Sequence, residues 1–262
     1  MISTERGVIR LGQEEIEQYE RDGYLVVKEL VGPAELEALR VRLREYTHGG
    51  RPPDGIDIQV EPRIARGELA VEHPGDGIRK LTDTVQHDEL FRKLALNENI
   101  VGIVEQLIGP DLKLFRNAVL LKPPRVGSAK GAHQDSPYWP IEPMTLCSCW
   151  FAFDDADEQN GCMGVIPGGH LRGPLPHRPV TDDFVIEEGH YDMNDLILAP
   201  VPAGGGLFFH SLIPHYTAPN RSDRWRRAIA LSYMSSRSRY TGKGESPQYF
   251  HVKGATYPGC VR

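Results

Sequence analysis

The chain has 262 residues, 40% of them hydrophobic and 25% charged, and its 30 Lys+Arg against 36 Asp+Glu give a formal net charge of -6. That composition excludes a wholly disordered chain, and the acidic balance leaves no global basic field for a nucleic acid. No stretch reaches the roughly 20 apolar residues of a membrane helix, so neither nucleic acid nor membrane is an expected partner. The four cysteines, Cys147, Cys149, Cys162 and Cys260, form no C-x-x-C pair. Free thiols in a reducing, cytoplasmic setting are expected, in a monomer or small homo-oligomer.

Met1 to Gln13 holds no apolar run long enough for a signal-peptide core. From Gln13, the spacing of Ile16 and Tyr19 predicts an amphipathic helix that ends near Asp22-Gly23, followed by a short strand over Tyr24 to Val27. Pro33 opens a second helix, with Leu36, Leu39 and Leu43 on one stripe. Gly49 to Asp57 is rich in turn formers and reads as a loop. Asp88 to Ile108 reads as a third helical region, stopped by Gly109-Pro110.

After Pro110 the character changes. Leu112–Leu121, Leu146–Phe153, Met163–Ile166, Gly206–Phe209 and Ala228–Tyr233 are strand-like and separated by Pro/Gly turns, which predicts a sandwich or barrel. No linker composition divides the chain, so one domain is expected: a helical part over about 12–109 buttressing a β part over about 110–240.

The chemistry concentrates in Gly131-Ala-His-Gln-Asp135. In an extended strand, residues i and i+2 share a face, so His133 and Asp135 would project together. His215 supplies a third ligand, and two His with one carboxylate make the facial set of non-haem Fe(II) oxygenases. The motif alone does not decide, because a second H-x-D occurs at His190-Tyr-Asp192. Context does more. Alternation over Arg226 to Tyr233 places Arg226, Ala228, Ala230 and Ser232 on one face, a small-residue surface around a single guanidinium suited to a bidentate carboxylate.

The ordered set KPP (Lys122 to Pro124), HQD (His133 to Asp135), Trp150, NGC (Asn160 to Cys162), PGGH (Pro167 to His170), H-x-T-x-x-N-R-S (His215 to Ser222) and the Arg at 226 resembles the phytanoyl-CoA dioxygenase family of Fe(II)/2-oxoglutarate oxygenases. The resemblance runs from about Gly23 to Tyr233. It implies a double-stranded β-helix, or jelly-roll, core with His133, Asp135 and His215 as the iron triad. It also implies that Arg226 holds the distal carboxylate of 2-oxoglutarate with help from Thr217, and that Gln134, Trp150 and Lys80 lie near that cosubstrate. Dioxygen is the remaining substrate. Because related halogenases carry a small residue where Asp135 stands, the resemblance implies hydroxylation rather than chlorination.

Several residues have plainer readings. His210 competes with His215, but the spacing to Thr217, Asn220 and Arg226 selects His215. His170 reads as a turn residue, and Cys147 and Cys149 as strand core facing away from iron. Tyr138 and Trp139 follow the H-x-D closely and are either a substrate wall or a hydrophobic plug. The insert from Leu175 to Ala199 is polar and reads as a surface loop or lid. No extended basic patch stands out. The expected reaction is hydroxylation of a small organic substrate at an unactivated C–H with release of succinate and CO2. The alternatives are a cupin-type metalloenzyme that does not use 2-oxoglutarate, which has no need of Arg226, or a catalytically silent 2-oxoglutarate-binding module.

Overall fold

The computed structural model of the chain describes residues 3–5, 7–181 and 183–262. Met1, Ile2, Arg6 and Asp182 lie outside them, and with them part of the amino-terminal stretch and one residue of the polar insert. The first helix, α1 (Gln13–Asp22), ends where Gly23 adopts a left-handed φ of 81°, a conformation open to glycine because it has no Cβ. The helix α2 (Pro33–Thr47) starts on its proline and buries Leu36, Leu39, Leu43 and Tyr46. Residues 88–108 form two helices, α3 (Glu89–Ala95) and α4 (Glu98–Ile108), where the apolar spacing predicts one region. The interruption is a second N-cap: the Asn97 side chain accepts from the N–H groups of Asn99 (3.0 Å) and Ile100 (3.3 Å).

In chain order the strands around the site are β1 (Tyr24–Val27), β2 (Asp57–Val60), β3 (Ile78–Thr82), β4 (Leu112–Lys122), β5 (Lys130–His133), β6 (Cys147–Ala152), β7 (Met163–Val165), β8 (His177–Val180), β9 (Asp183–Ile186), β10 (Ile197–Ala199), β11 (Gly206–His210), β12 (His215–Thr217), β13 (Arg226–Ser235) and β14 (Phe250–Lys253). Eight of them make one sheet in the order β1-β11-β6-β13-β4-β3-β2, with β14 also paired to β4. Four make a second sheet, β10-β7-β12-β5. Residues of both sheets line one cavity between them, which is the jelly-roll arrangement.

The large sheet is not confined to residues 110–240: β1, β2 and β3 come from before that span and β14 from after it. The reason is burial. Leu25 and Val27 of β1 join Leu39, Leu43, Phe91 and Ile103 of the helical part and Phe151, Ile229, Leu231 and Tyr233 of the barrel in one apolar core. Each such side chain contributes about 1.5–3 kcal/mol when fully buried, so the helices and the sheet they cover stabilise each other. Cys147 and Cys149 belong to this helix-side core and do not line the cavity. The insert is more ordered than a loop. It forms the hairpin β8–β9 and then the edge strand β10.

Candidate active site

His133 ends β5 and His215 opens β12, and the two are direct cross-strand partners. Pairing brings their ring centroids to 4.1 Å. Each ring turns Nδ1 toward a carbonyl of its own strand region, Gly131 O at 2.8 Å and Ile213 O at 3.0 Å. A carbonyl only accepts, so Nδ1 carries the hydrogen and the Nε2 lone pair is left to face a metal. Burial, reinforced by the neighbouring His215, holds the His133 pKa well below the usual histidine value, which keeps the ring in its neutral, ligating form.

Asp135 reaches the same place by a different route from the extended i, i+2 pair that the motif predicts. β5 stops at His133, and Asp135 has helical backbone angles (φ -77°, ψ -51°) at the entry to a short turn through Pro137. The N–H groups of Asp135 and Ser136 both donate to Ser211 O at 3.0 Å, which pins that turn. The carboxylate is delivered with Oδ1 3.7 Å from His133 Nε2. Ligand atoms of His133, Asp135 and His215 all lie within 4.8 Å of one another, and among the described residues no other such group of three is found. Two imidazole nitrogens and one carboxylate are a donor set that fits Fe(II) and leaves positions open. His190 and Asp192 stay apart from it, with Asp192 accepting from the Asn194 N–H at 2.8 Å. His210 lies beside His170, ring centroids 5.0 Å apart, and burial pushes its pKa down to about 4.

Further into the cavity, Arg226 is 3% exposed. One nitrogen, Nη1, donates to Leu120 O at 3.1 Å, while the buried Nε has no partner. The guanidinium carbon lies 5.2 Å from the centre of the Trp150 ring. Burial lowers the Arg226 pKa to about 10, which still leaves it charged at neutral pH. A buried cation with an unmet N–H is completed by a carboxylate, and Thr217 lines the cavity with it.

The cavity has a volume of about 400 Å³ and is lined by the three candidate ligands, Arg226, Thr217, Trp150, Lys80, Tyr138 and Trp139. Gln134 is not among its walls, contrary to the expectation of a cosubstrate contact. Its amide donates to Gly173 O (2.9 Å) and Leu212 O (2.6 Å) and accepts from the Leu175 N–H (2.7 Å). As His133 and Asp135 turn inward, the residue between them points away, and it ties the metal strand to the start of the insert. Trp139 packs on Phe115 at 4.8 Å, whereas Tyr138 stands at the rim beside His177 (5.0 Å) and Phe184 (5.1 Å). The hairpin is docked on the metal strand. Asp183 accepts from the Gly131 N–H at 3.1 Å and pairs with Lys130, and the Gln134 N–H donates to His177 Nε2 at 3.1 Å. Gly131 permits this approach, since a Cβ there would meet the Val185 side chain.

The structure also brings in residues that motif reading left unassigned. Lys122 donates to Ser128 O (2.7 Å) and Ala218 O (2.5 Å), and burial followed by the nearby Arg226 pulls its pKa down to about 6. Glu61 is buried and accepts from the Ser128 hydroxyl at 2.7 Å. Arg79, Arg116 and Lys130 join Lys80 in the cavity wall. A basic patch therefore exists where the sequence shows none, because β3, β4 and β5 each contribute to it. The signal that pointed to Lys122 was its place in Lys-Pro-Pro at the end of an apolar strand, and no comparable signal marks the other four.

A family model described as "Phytanoyl-CoA dioxygenase (PhyH)" matches residues 19–228 of the chain. The peroxisomal phytanoyl-CoA dioxygenase of Rattus norvegicus is 31% identical over 251 residues, covering 91% of this chain and 73% of that protein. Among solved structures, the apo form of the non-heme monooxygenase ThoJ is similar with a TM-score of 0.75 at 22% identity, covering 95% of this chain and 86% of that one. The non-heme alpha ketoglutarate dependent carbocyclase SnoK from nogalamycin biosynthesis is similar with a TM-score of 0.64 at 26% identity, covering 88% and 86%.

Proposed function

Because the chain belongs to the phytanoyl-CoA dioxygenase family, we propose that it is an Fe(II)- and 2-oxoglutarate-dependent dioxygenase that hydroxylates a small organic substrate at an unactivated C–H. One observation carries this reading: a His-Asp-His donor set and a buried arginine with an unmet N–H share one cavity. A cupin-type enzyme without a keto acid has no use for that arginine. When bound, iron and 2-oxoglutarate would supply the oxidation, dioxygen giving one oxygen atom to the substrate and the other to the succinate that forms from the keto acid with release of CO2.

This chain's residues bind, orient and exclude water. His133, Asp135 and His215 hold the metal, each imidazole oriented by its Nδ1–H bond to a backbone carbonyl. Arg226 and Thr217 hold the distal carboxylate of 2-oxoglutarate against Trp150, and Lys80 approaches it from the wall. Tyr138 and Trp139 form part of the substrate wall. The Asp135 carboxylate takes the place that chloride needs, which favours hydroxylation over chlorination. The four unpaired cysteines fit a reducing compartment, in this reading the cytoplasm, whereas the rat relative is named peroxisomal. Among the described residues no helix is long and apolar enough to cross a membrane.

The test is anaerobic addition of Fe(II) and 2-oxoglutarate, followed by admission of oxygen. Wild type is expected to develop a weak visible metal-to-ligand charge-transfer band and then to form succinate. Asp135→Ala is expected to lose metal affinity by about 100-fold or more, with both signals. Full-rate decarboxylation by that variant would refute the triad, and a chlorinated product in the presence of chloride would refute hydroxylation.

A further inference from the structure

The charges around the cavity do not balance once the cosubstrate is assigned. On the reading above, Arg226 meets one carboxylate of 2-oxoglutarate, the metal meets the other, and Asp135 is a ligand. Glu61 lies toward the Lys122 end, where it accepts from Ser128. Besides Lys80, which that reading turns toward the cosubstrate, three cations remain on the wall: Arg79 from β3, Arg116 from β4 and Lys130 from β5. All four are half-buried. Lys130 pairs with Asp183 of the hairpin, whereas among the described residues the side chains of Arg79, Lys80 and Arg116 make neither a hydrogen bond nor an ion pair. Arg116 rests over the Trp139 ring, 5.8 Å from its centre.

These side chains repel one another. After burial, Arg79 is the next cause that lowers the Lys130 pKa, to about 8, and Arg116 and Arg79 act the same way on Lys80. Asp57 and Asp83 offset only part of that on Lys80. Half-buried like charges without partners cost free energy that an incoming anion would recover. Beside them the wall is apolar and aromatic, formed by Tyr138, Trp139 and Phe184. We propose that the substrate is an organic anion, a carboxylate or a phosphate ester on an apolar carbon skeleton, whose charged group is held by Arg79, Arg116 and Lys130. This rests on the 2-oxoglutarate reading, which commits Arg226 to the cosubstrate and leaves Arg79 and Arg116 without an anionic partner beside Lys130, whose own partner is Asp183. The apolar skeleton would lie along Trp139 and Tyr138, toward the metal.

The test titrates the anaerobic Fe(II)- and 2-oxoglutarate-loaded protein with hexanoate, hexyl phosphate and neutral hexanamide, following binding by calorimetry and the charge-transfer band together. At least one anion is expected to bind about tenfold or more tighter than hexanamide with the band retained, and the tighter one identifies the head group. The paired change Arg79→Gln with Arg116→Gln is expected to remove that preference, and Arg79→Lys with Arg116→Lys to keep most of it. The three-probe comparison in wild type stands whether or not the variants fold. Equal binding of hexanamide, unchanged anion affinity in the Gln pair, or anion binding only with loss of the band would each overturn the proposal. If wild type gives no band, it is the 2-oxoglutarate reading that fails, and the same titration of metal-free protein then decides for or against the cation site.

Discussion

The two faces of β13 do opposite things with alternate residues of one strand. Ile229, Leu231 and Tyr233 turn outward into the core shared with the helices, and Arg226, Ala230 and Ser232 turn inward to line the cavity. On the outer face Ile229, Leu231 and Tyr233 are fully buried and the polar groups are satisfied, because Tyr233 donates to Ala95 O at 2.9 Å and Arg227, half-buried at the strand's start, donates from Nε to Asp154 at 2.7 Å. The inner face is as well shielded from water at Arg226, yet leaves a guanidinium nitrogen without a partner. A face built for stability satisfies its polar groups within the chain, while a face built for binding leaves one for a ligand to complete.

Three experiments sharpen or break that contrast. The largest effect is expected on the outer face: Leu231→Ala should cost about 2–5 kcal/mol of stability by leaving a cavity in a close-packed core. Below its melting point it should bind 2-oxoglutarate as wild type does, so a denaturant midpoint and an affinity measured on the same sample check both halves. A lost cosubstrate affinity there would show that the faces are coupled. Next is Arg226→Ala on the inner face, where 2-oxoglutarate affinity should fall by roughly 10- to 100-fold, as expected for a lost charge-assisted bond. Its stability should change by less than about 1 kcal/mol, since the variant removes a buried, incompletely paired charge. Calorimetry with thermal unfolding separates this outcome from general destabilisation.

The third effect is a gradual one, small over any single pH unit, and concerns Lys122, whose folded pKa of about 6 lies below the ordinary 10.5. Between those values the unfolded chain holds a proton that the folded chain lacks, so stability should rise with pH across the window. Lys122→Met abolishes this dependence. The stability of wild type relative to the variant, from denaturant midpoints of metal-free protein, should increase between about pH 6 and 10, by no more than about 1.4 kcal/mol per pH unit. A flat difference would mean that Lys122 stays charged beside Glu61.

Much of this arrangement was legible in the chain itself. Alternation in β13 predicted which of its residues turn inward, and the strand periods and the Gly23 stop correspond to observed elements. The candidate ligands were readable by residue type and order, although Asp135 arrives through a turn and not along a strand. Gln134 was misread because its neighbours face the cavity while its own amide is consumed by three backbone groups. The helix break at Asn97 was written in a capping residue that the apolar stripe on either side concealed.

By itself the sequence determined what depends on neighbours along the chain: where strands alternate, where helices start and stop, and which side chains can bind a metal or a carboxylate. Only the tertiary structure decided what depends on distant segments meeting. His133 faces His215 because β5 pairs with β12, and the basic wall exists because β3, β4 and β5 converge on one cavity. The physical reason is that a titratable group takes its role from burial and from the charges beside it, and both are set by strand pairing across the barrel rather than by spacing along the chain.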